Sequence, residues 1–213
     1  MVGRSKRTSH SHHHLSVGLL VWIEDDSQLP ELKRCLDSLV DFNVIVINGK
    51  WIDIPGKNHI STDATISLLQ SYKNVTLIFS VNNTEAHNRN LALTVSSTLN
   101  HDILFWVDTD EYVELPCGYE FFLRGLDFAD KMTCYAHYED EGRGGSCRMV
   151  RFIKDIQDVS LNERHNEWLY YGHNIFKDPH KAPRGLIIHS DRKYRSEERQ
   201  AKMLNRNKNN PIH

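Results

Sequence analysis

The chain has 213 residues, of which 39% are apolar and 25% are charged, and its formal net charge is −2. This composition is ordinary for a globular protein, and the length allows one domain with a sizeable core. The near-neutral charge argues against wholesale nucleic-acid binding, and no apolar run approaches the roughly 18 to 20 residues of a membrane span. The four cysteines form no CxxC pair, which favours reduced thiols and a cytoplasmic location.

Strands and helices are predicted to alternate through the first half of the chain. Residues 1–14 are basic and histidine-rich without an apolar period, so we expect a disordered arm there. Order should begin at Leu15. The predicted strands and helices are, in order, Ser16–Ile23, a helix with Pro30 in its first turn through Leu39, Val44–Ile47, a helix capped by Ser61-Thr62-Asp63, Val75–Val81, a helix over Glu85–Thr98 and Ile103–Val107.

This alternation predicts an α/β fold with a doubly wound, mostly parallel sheet and helices on both of its faces. We assign residues 15–115 to this half. Residues 116–191 are expected to form a smaller, mixed region with short strands over Met149–Ile153, Trp168–Tyr171 and Gly185–Ile188. Residues 192–213 form a basic tail, which predicts either peripheral contact with anionic lipid or a solvated helix.

Three acids follow the most apolar of these strands. Asp108, Asp110 and Glu111 come directly after Ile103–Val107. Ligands of parallel sheets bind beyond the carboxyl ends of the strands, and clustered carboxylates favour a divalent cation holding a diphosphate. The alternative is a solvated acidic turn, and Glu111 is expected either to contact donor or metal or to be exposed.

Four segments, in order, resemble a family 2-type glycosyltransferase with the GT-A fold. They are Leu32-Lys-Arg-Cys35-Leu36-Asp-Ser38-Leu39, Ser61-Thr62-Asp63-Ala64-Thr65, Glu85-Ala-His-Asn-Arg89-Asn90-Leu-Ala92-Leu93 and Asp108-Thr109-Asp110. The resemblance covers about residues 15–115 and is loose beyond them. It implies a single GT-A domain, whose second half binds the acceptor. It also implies transfer of a sugar from a UDP- or GDP-sugar donor to a glycan, lipid-linked or protein acceptor.

The resemblance also implies site residues. Asp110 would bind Mn²⁺ or Mg²⁺, and Asp108 would contact the donor ribose or a metal-bound water. Asn48 stands where the family has an Asp that contacts the nucleoside, although an Asn-Gly turn is the alternative and Asp53 could take over that role. Glu24 and Asp63 are further donor-binding candidates, with a surface turn as the alternative for Glu24. Arg89 would approach the phosphates, unless it forms an ordinary ion pair on its helix.

The third metal ligand and the catalytic base are the hardest residues to assign. His189 at the end of a strand is the first candidate for a late metal ligand, and His173 is the second. A base must take the proton of the acceptor hydroxyl. Glu167 is narrowly favoured for this role over Asp140, and either could be plain surface charge.

Two other functions are compatible with the same residues. A haloacid dehalogenase-type phosphohydrolase would use Asp108 as nucleophile, but here the DxD follows the fourth strand rather than the first, and Tyr112 replaces the expected Thr or Val. A non-catalytic protein that binds sugar nucleotides or glycans on the same scaffold is the third hypothesis.

Overall fold

The computed structural model describes residues 14–52, 56–127, 133–140, 149–154, 156, 159–162, 167–170, 173–174 and 186–190. The predicted N-terminal arm through residue 13, Asp53 and the basic tail lie outside these ranges, so those predictions stay untested.

The chain forms four α-helices and eleven strands within the described ranges. In order they are β1 (Leu15–Val21), α1 (Leu29–Asp37), β2 (Asn43–Asn48), α2 (Asp63–Ser71), β3 (Val75–Phe79), α3 (Glu85–Thr98), β4 (Ile103–Trp106), β5 (Glu111–Glu114), α4 (Tyr119–Asp127), β6 (Thr133–Asp140), β7 (Met149–Lys154), β8 (Val159–Asn162), β9 (Glu167–Tyr170), β10 (His173–Asn174) and β11 (Ile187–Ser190).

The first seven of these elements confirm the predicted alternation to within a few residues. Thr62 and Thr84 cap α2 and α3 by accepting hydrogen bonds from the backbone N–H groups of Thr65 and His87. Strands β5, β6, β8 and β10 and helix α4 were not predicted. The predicted strand Gly185–Ile188 is shifted along the chain to Ile187–Ser190, so His189 lies inside β11 rather than after it.

Eight strands form one sheet in the order β3-β2-β1-β4-β7-β6-β11-β5. The first four strands are parallel, and β7 and β5 run antiparallel to their neighbours. Strands β8, β9 and β10 form a separate antiparallel sheet. The parallel half therefore brings the carboxyl ends of β1, β2, β3 and β4 to one edge.

Apolar side chains cover both faces of the parallel half. Alternate residues of β2 and β4 belong to two different clusters of buried side chains, as a strand's period of two requires. One cluster includes Leu32 and Leu36 of α1 and Phe122 of α4, and the other includes Leu93 of α3 and Leu161 of β8. Polar groups are thereby confined to the ends of these strands. Within the described ranges, no helix combines the length and the apolar character that crossing a membrane requires.

Gly18 in β1 shows how tightly the α3 side of the sheet is filled. A Cβ at this position would lie 2.6 Å from Cζ3 of Trp106, a buried ring of the neighbouring strand β4. We therefore expect Gly18→Ala to lower the free energy of unfolding by about 2–3 kcal/mol through overpacking. Urea unfolding measures this change.

Gly118 provides the matched control for this substitution. A Cβ there meets nothing within 4 Å, and only its φ of +81° disfavours alanine. Gly118→Ala should therefore cost about 1–2 kcal/mol, from backbone conformation alone. Equal losses in the two variants would contradict the packing described around Gly18.

Candidate functional site

The residues Asp108–Glu111, here called the acidic turn, connect β4 to β5. The Glu111 side chain accepts a hydrogen bond from the Asp108 backbone N–H through Oε2 at 2.8 Å, and the Glu111 N–H donates to the Asp108 carbonyl at 3.0 Å. Asp110 and Glu111 are only 6% and 2% exposed. A solvated acidic turn and an exposed Glu111 were alternatives in the sequence analysis. The burial of Asp110 and Glu111 argues against both.

The buried thiol of Cys35 lies close enough to the acidic turn for the three carboxylates to affect its pKa. Burial raises its pKa well above the ordinary thiol value, and the negative charges of Glu111, Asp108 and Asp110 raise it further. All three carboxylates therefore act on one point beneath the turn. Negative charge concentrated at the ligand edge of a sheet favours a bound cation.

Asn48, at the end of β2, is fully buried and organises the neighbouring strand end. Its Oδ1 accepts a hydrogen bond from the Ser61 N–H at 3.2 Å, while Ser61 Oγ accepts one from the Ile23 N–H at 3.0 Å. Among the described residues, Asn48 Nδ2 has no hydrogen-bond partner. Gly49 follows with φ +152°, and a Cβ there would lie 2.0 Å from the Ser80 carbonyl oxygen. Asn48 is thus the last residue of β2 and the chain bends at Gly49, so the structure describes a bend rather than an Asn-Gly turn. Asn48 and Ser61 tie the start of α2 to the ends of β1 and β2.

Glu24 and Asp63 lie beside this strand end. Glu24 Oε1 accepts hydrogen bonds from the backbone N–H groups of Lys57 and Asn58 at 2.9 and 3.1 Å. Glu24 thus holds the segment 56–59 over the end of β1, where Lys50 Nζ also donates to the Gly56 carbonyl. Asp63 is exposed in the first turn of α2.

Arg89 and Asn90 on α3 make the contacts of ordinary structural residues. Arg89 forms an ion pair with Glu85 at 3.0 Å, and its guanidinium lies 4.7 Å from the centre of the Trp106 ring. Asn90 exchanges two hydrogen bonds with the backbone of Leu161 in β8, at 3.0 and 2.7 Å. The ion-pair alternative for Arg89 is therefore present in the structure.

His189 lies one strand away from the acidic turn. In the register of β11 and β5, His189 is opposite Tyr112 and Ser190 is opposite Glu111. The imidazole stacks on the Tyr112 ring at 4.5 Å, and its Nε2 lies 2.8 Å from Glu114 Oε2. Tyr112 and Glu114 received no role from the sequence. Burial alternates along β5, with Glu111 and Val113 more buried than Tyr112 and Glu114. The residue types Glu-Tyr-Val-Glu show no matching apolar alternation, so the sequence carried no strand signal that would have placed them.

The structure places the two candidate bases in different sheets. Asp140 ends β6 and is opposite Ser190 of β11, which is opposite Glu111. Two strand spacings, about 9–10 Å, thus separate the backbones of Asp140 and Glu111. Glu167 begins β9 in the three-stranded sheet, opposite Asn162. His173 lies in that sheet as well, in β10.

The donor atoms of the acidic turn suit a divalent cation, because hard cations take carboxylate oxygens. Asp108 and Asp110 supply such oxygens from a turn whose combined charge acts on Cys35. In the part of the chain that the structure describes, no group of three His, Cys, Asp or Glu side chains is arranged to hold a metal ion.

Solved structures resemble this fold, although no protein-family model and no curated protein sequence matches the chain. A mannosyltransferase from Pyrobaculum calidifontis in complex with GDP-Man and Mn²⁺ aligns over 91% of this chain with a TM-score of 0.51 and 14% identity. The alignment spans 60% of the mannosyltransferase. A protein from Desulfovibrio desulfuricans, described as a nucleotide-diphospho-sugar transferase, aligns over 92% of this chain and 96% of its own, with a TM-score of 0.44 and 10% identity.

The first of these likenesses, together with the strand order, confirms the predicted fold class. The chain has a Rossmann-like α/β fold similar to that of the mannosyltransferase, with a parallel four-stranded half flanked by helices.

The thiols give a direct test of the field beneath the acidic turn. Cys35 is buried with a raised pKa, whereas Cys117 is exposed. Because only the thiolate reacts, iodoacetamide at pH 8 should alkylate Cys117 at least about a hundredfold faster than Cys35 in the folded protein. Mass spectrometry of the peptides measures both rates, and in urea the two should converge. Comparable rates in the folded protein would contradict the burial and charge assigned to Cys35.

Proposed function

We propose that the protein is a divalent-metal-dependent glycosyltransferase, which moves a sugar from a UDP- or GDP-sugar to an acceptor hydroxyl. The observation that carries the proposal is the buried acidic turn at the ligand edge of a GT-A-type sheet, with three carboxylates acting on one point. The Pyrobaculum structure of similar fold contains GDP-Man and Mn²⁺, which supports this choice of ligands.

In this proposal Asp110 and Asp108 hold the cation together with the oxygens of the donor diphosphate. The bound cation supplies charge neutralisation for the nucleoside diphosphate as it leaves. Because β1 lies between β2 and β4, the ends of β1 and β2 are the neighbouring surface for the nucleoside. Asn48, Glu24 and Asp63 belong to that surface, either directly or by holding its loops. Arg89 would have to exchange Glu85 for a phosphate.

Of the two candidate bases, strand register favours Asp140. Its backbone lies in the same sheet as the acidic turn, two strands from Glu111. In the proposed step, a carboxylate oxygen of Asp140 takes the proton of the acceptor hydroxyl while the acceptor oxygen attacks the anomeric carbon. The bond from that carbon to the diphosphate oxygen breaks, and the configuration inverts. His189 remains a candidate for the cation only if it leaves Glu114.

Donor binding should depend on the cation and on Asp110. We expect a UDP- or GDP-sugar at about 100 Kd to stabilise the protein by about 2.7 kcal/mol when Mn²⁺ is present. Without Mn²⁺, or in Asp110→Asn, this stabilisation should vanish, because the variant keeps the shape of the side chain but removes its charge. Thermal shift with each donor, with and without Mn²⁺, measures the effect.

Asp41 is the matched control for this charge removal. It is exposed, and Asp41→Asn should bind donor as the wild type does. No shift with any nucleotide sugar would contradict the transferase. A shift without transfer or donor hydrolysis would instead indicate the non-catalytic binding protein.

Substitution of the two candidate bases, Asp140 and Glu167, should affect kcat to different extents. Asp140→Asn should lower kcat for transfer by about 10²- to 10⁴-fold, the usual contribution of a general base, while donor affinity stays unchanged. Glu167→Gln should change kcat by less than about threefold, since a residue outside the reaction affects it little. Transfer rates at saturating donor decide between them. The opposite ranking would return the role to Glu167.

A further inference from the structure

Helix α1 holds the acidic turn from below at both of its ends. Cys35 Sγ donates a hydrogen bond at 3.6 Å to the carbonyl oxygen of Asp108, the first residue of the acidic turn. Ser38, the C-cap residue of α1, has an Oγ that accepts a hydrogen bond from the Val113 N–H at 3.0 Å. The two contacts thus bracket the segment that carries Asp108 and Asp110.

Ser38 is itself fixed in position by the end of the helix. Its N–H donates to the carbonyl oxygens of Arg34 and Cys35 at 3.1 Å, and its Oγ donates to the Cys35 carbonyl at 2.6 Å. The hydroxyl proton is therefore committed to the helix, which leaves the lone pairs of Oγ for Val113. Among the described strands, β5 is the last of the eight-stranded sheet, and Ser38 Oγ outside that sheet accepts the hydrogen bond of its Val113 N–H.

Arg34 adds a third contact from the same helix. Its guanidinium carbon lies 4.0 Å from the centre of the Tyr112 ring, against which His189 also stacks. Arg34 and Cys35 of α1 and its C-cap residue Ser38, at successive spacings of one and three, thus touch Tyr112, Asp108 and Val113. Within the acidic turn, the Asp108 carbonyl accepts from both Cys35 Sγ and the Glu111 N–H, so the α1 contact and the internal closure of the turn share one oxygen.

We propose that Cys35 and Ser38 are positioning residues, which fix the backbone of the acidic turn so that Asp108 and Asp110 are held ready for a divalent cation. This inference rests on the proposed function for the identity of the ligand. The neutral thiol and the hydroxyl donate and accept without adding charge to a turn that already carries three carboxylates. Their hydrogen bonds restrict the motion of the acidic turn, which as a loop between two strands would otherwise be more flexible.

Two readouts on the full-length chain test this role. Ser38→Ala removes the acceptor for Val113, and it should raise amide hydrogen exchange in the segment 108–113 selectively. The same variant should weaken Mn²⁺ binding, followed by the electron paramagnetic resonance signal of free Mn²⁺, by roughly fivefold to tenfold. Ser38→Thr keeps the hydroxyl and should restore both values. Cys35→Ser keeps a donor to Asp108, and should be closer to wild type than Cys35→Ala in both readouts.

Leu39→Val separates positioning from a general loss of stability. Leu39 is fully buried next to Ser38, so the variant loosens the same helix end without removing either hydrogen bond. Its exchange in 108–113 and its Mn²⁺ affinity should equal those of the wild type. Exchange in 108–113 that is unchanged in Ser38→Ala, or raised equally in Leu39→Val, would overturn the proposal. If the wild type bound no Mn²⁺, the proposed function would fail, and the local exchange pattern alone would decide whether Cys35 and Ser38 fix the turn.

Discussion

Both faces of the parallel sheet are covered by apolar side chains, and this burial determines where polar groups can lie in the fold. Helices α1, α2 and α4 lie on one face and α3 with β8 on the other, so the strands β1, β2 and β4 contribute almost only apolar side chains to the interior. Charged and amide groups can then occur only where the strands end. Since these strands are parallel, their carboxyl ends meet at one edge, and that edge becomes the place for ligand chemistry.

Several polar side chains that the sequence suggests as functional residues form hydrogen bonds with backbone groups of the protein itself. Asn48 accepts a hydrogen bond from the Ser61 N–H, and Glu24 accepts hydrogen bonds from the N–H groups of residues 57 and 58. Asn90 donates a hydrogen bond to the Leu161 carbonyl, which links α3 to β8. Buried backbone groups at strand ends need hydrogen-bond partners as much as a ligand does. Asn48 and Glu24 therefore order the loops at the ends of β1 and β2, and Asn90 links α3 to β8. In the proposed site, Asp108 and Asp110 would supply the negative charge.

The sequence predicted the first half of this fold because its signals are local. Apolar runs, capping residues such as Thr62 and Thr84, and Pro30 each act within a few residues of the element they define. β5 was missed because Glu111-Tyr-Val-Glu114 resembles a charged loop, and its pairing with β11 spans more than seventy residues of chain. Helix α4 could have been predicted, because Phe122 and Leu126, which the structure buries, lie four residues apart at helical spacing.

The acidic turn was predicted as a cluster, but its burial and its contacts with α1 depend on the tertiary structure and could not be predicted from spacing. We propose that this turn binds a cation together with the donor diphosphate. Anomalous diffraction from crystals grown with Mn²⁺ and a UDP- or GDP-sugar would locate both. We expect a manganese peak within coordination distance of carboxylate oxygens of Asp110 or Asp108 and of the donor diphosphate. A bound donor whose diphosphate lies away from the acidic turn, without manganese at these carboxylates, would contradict it.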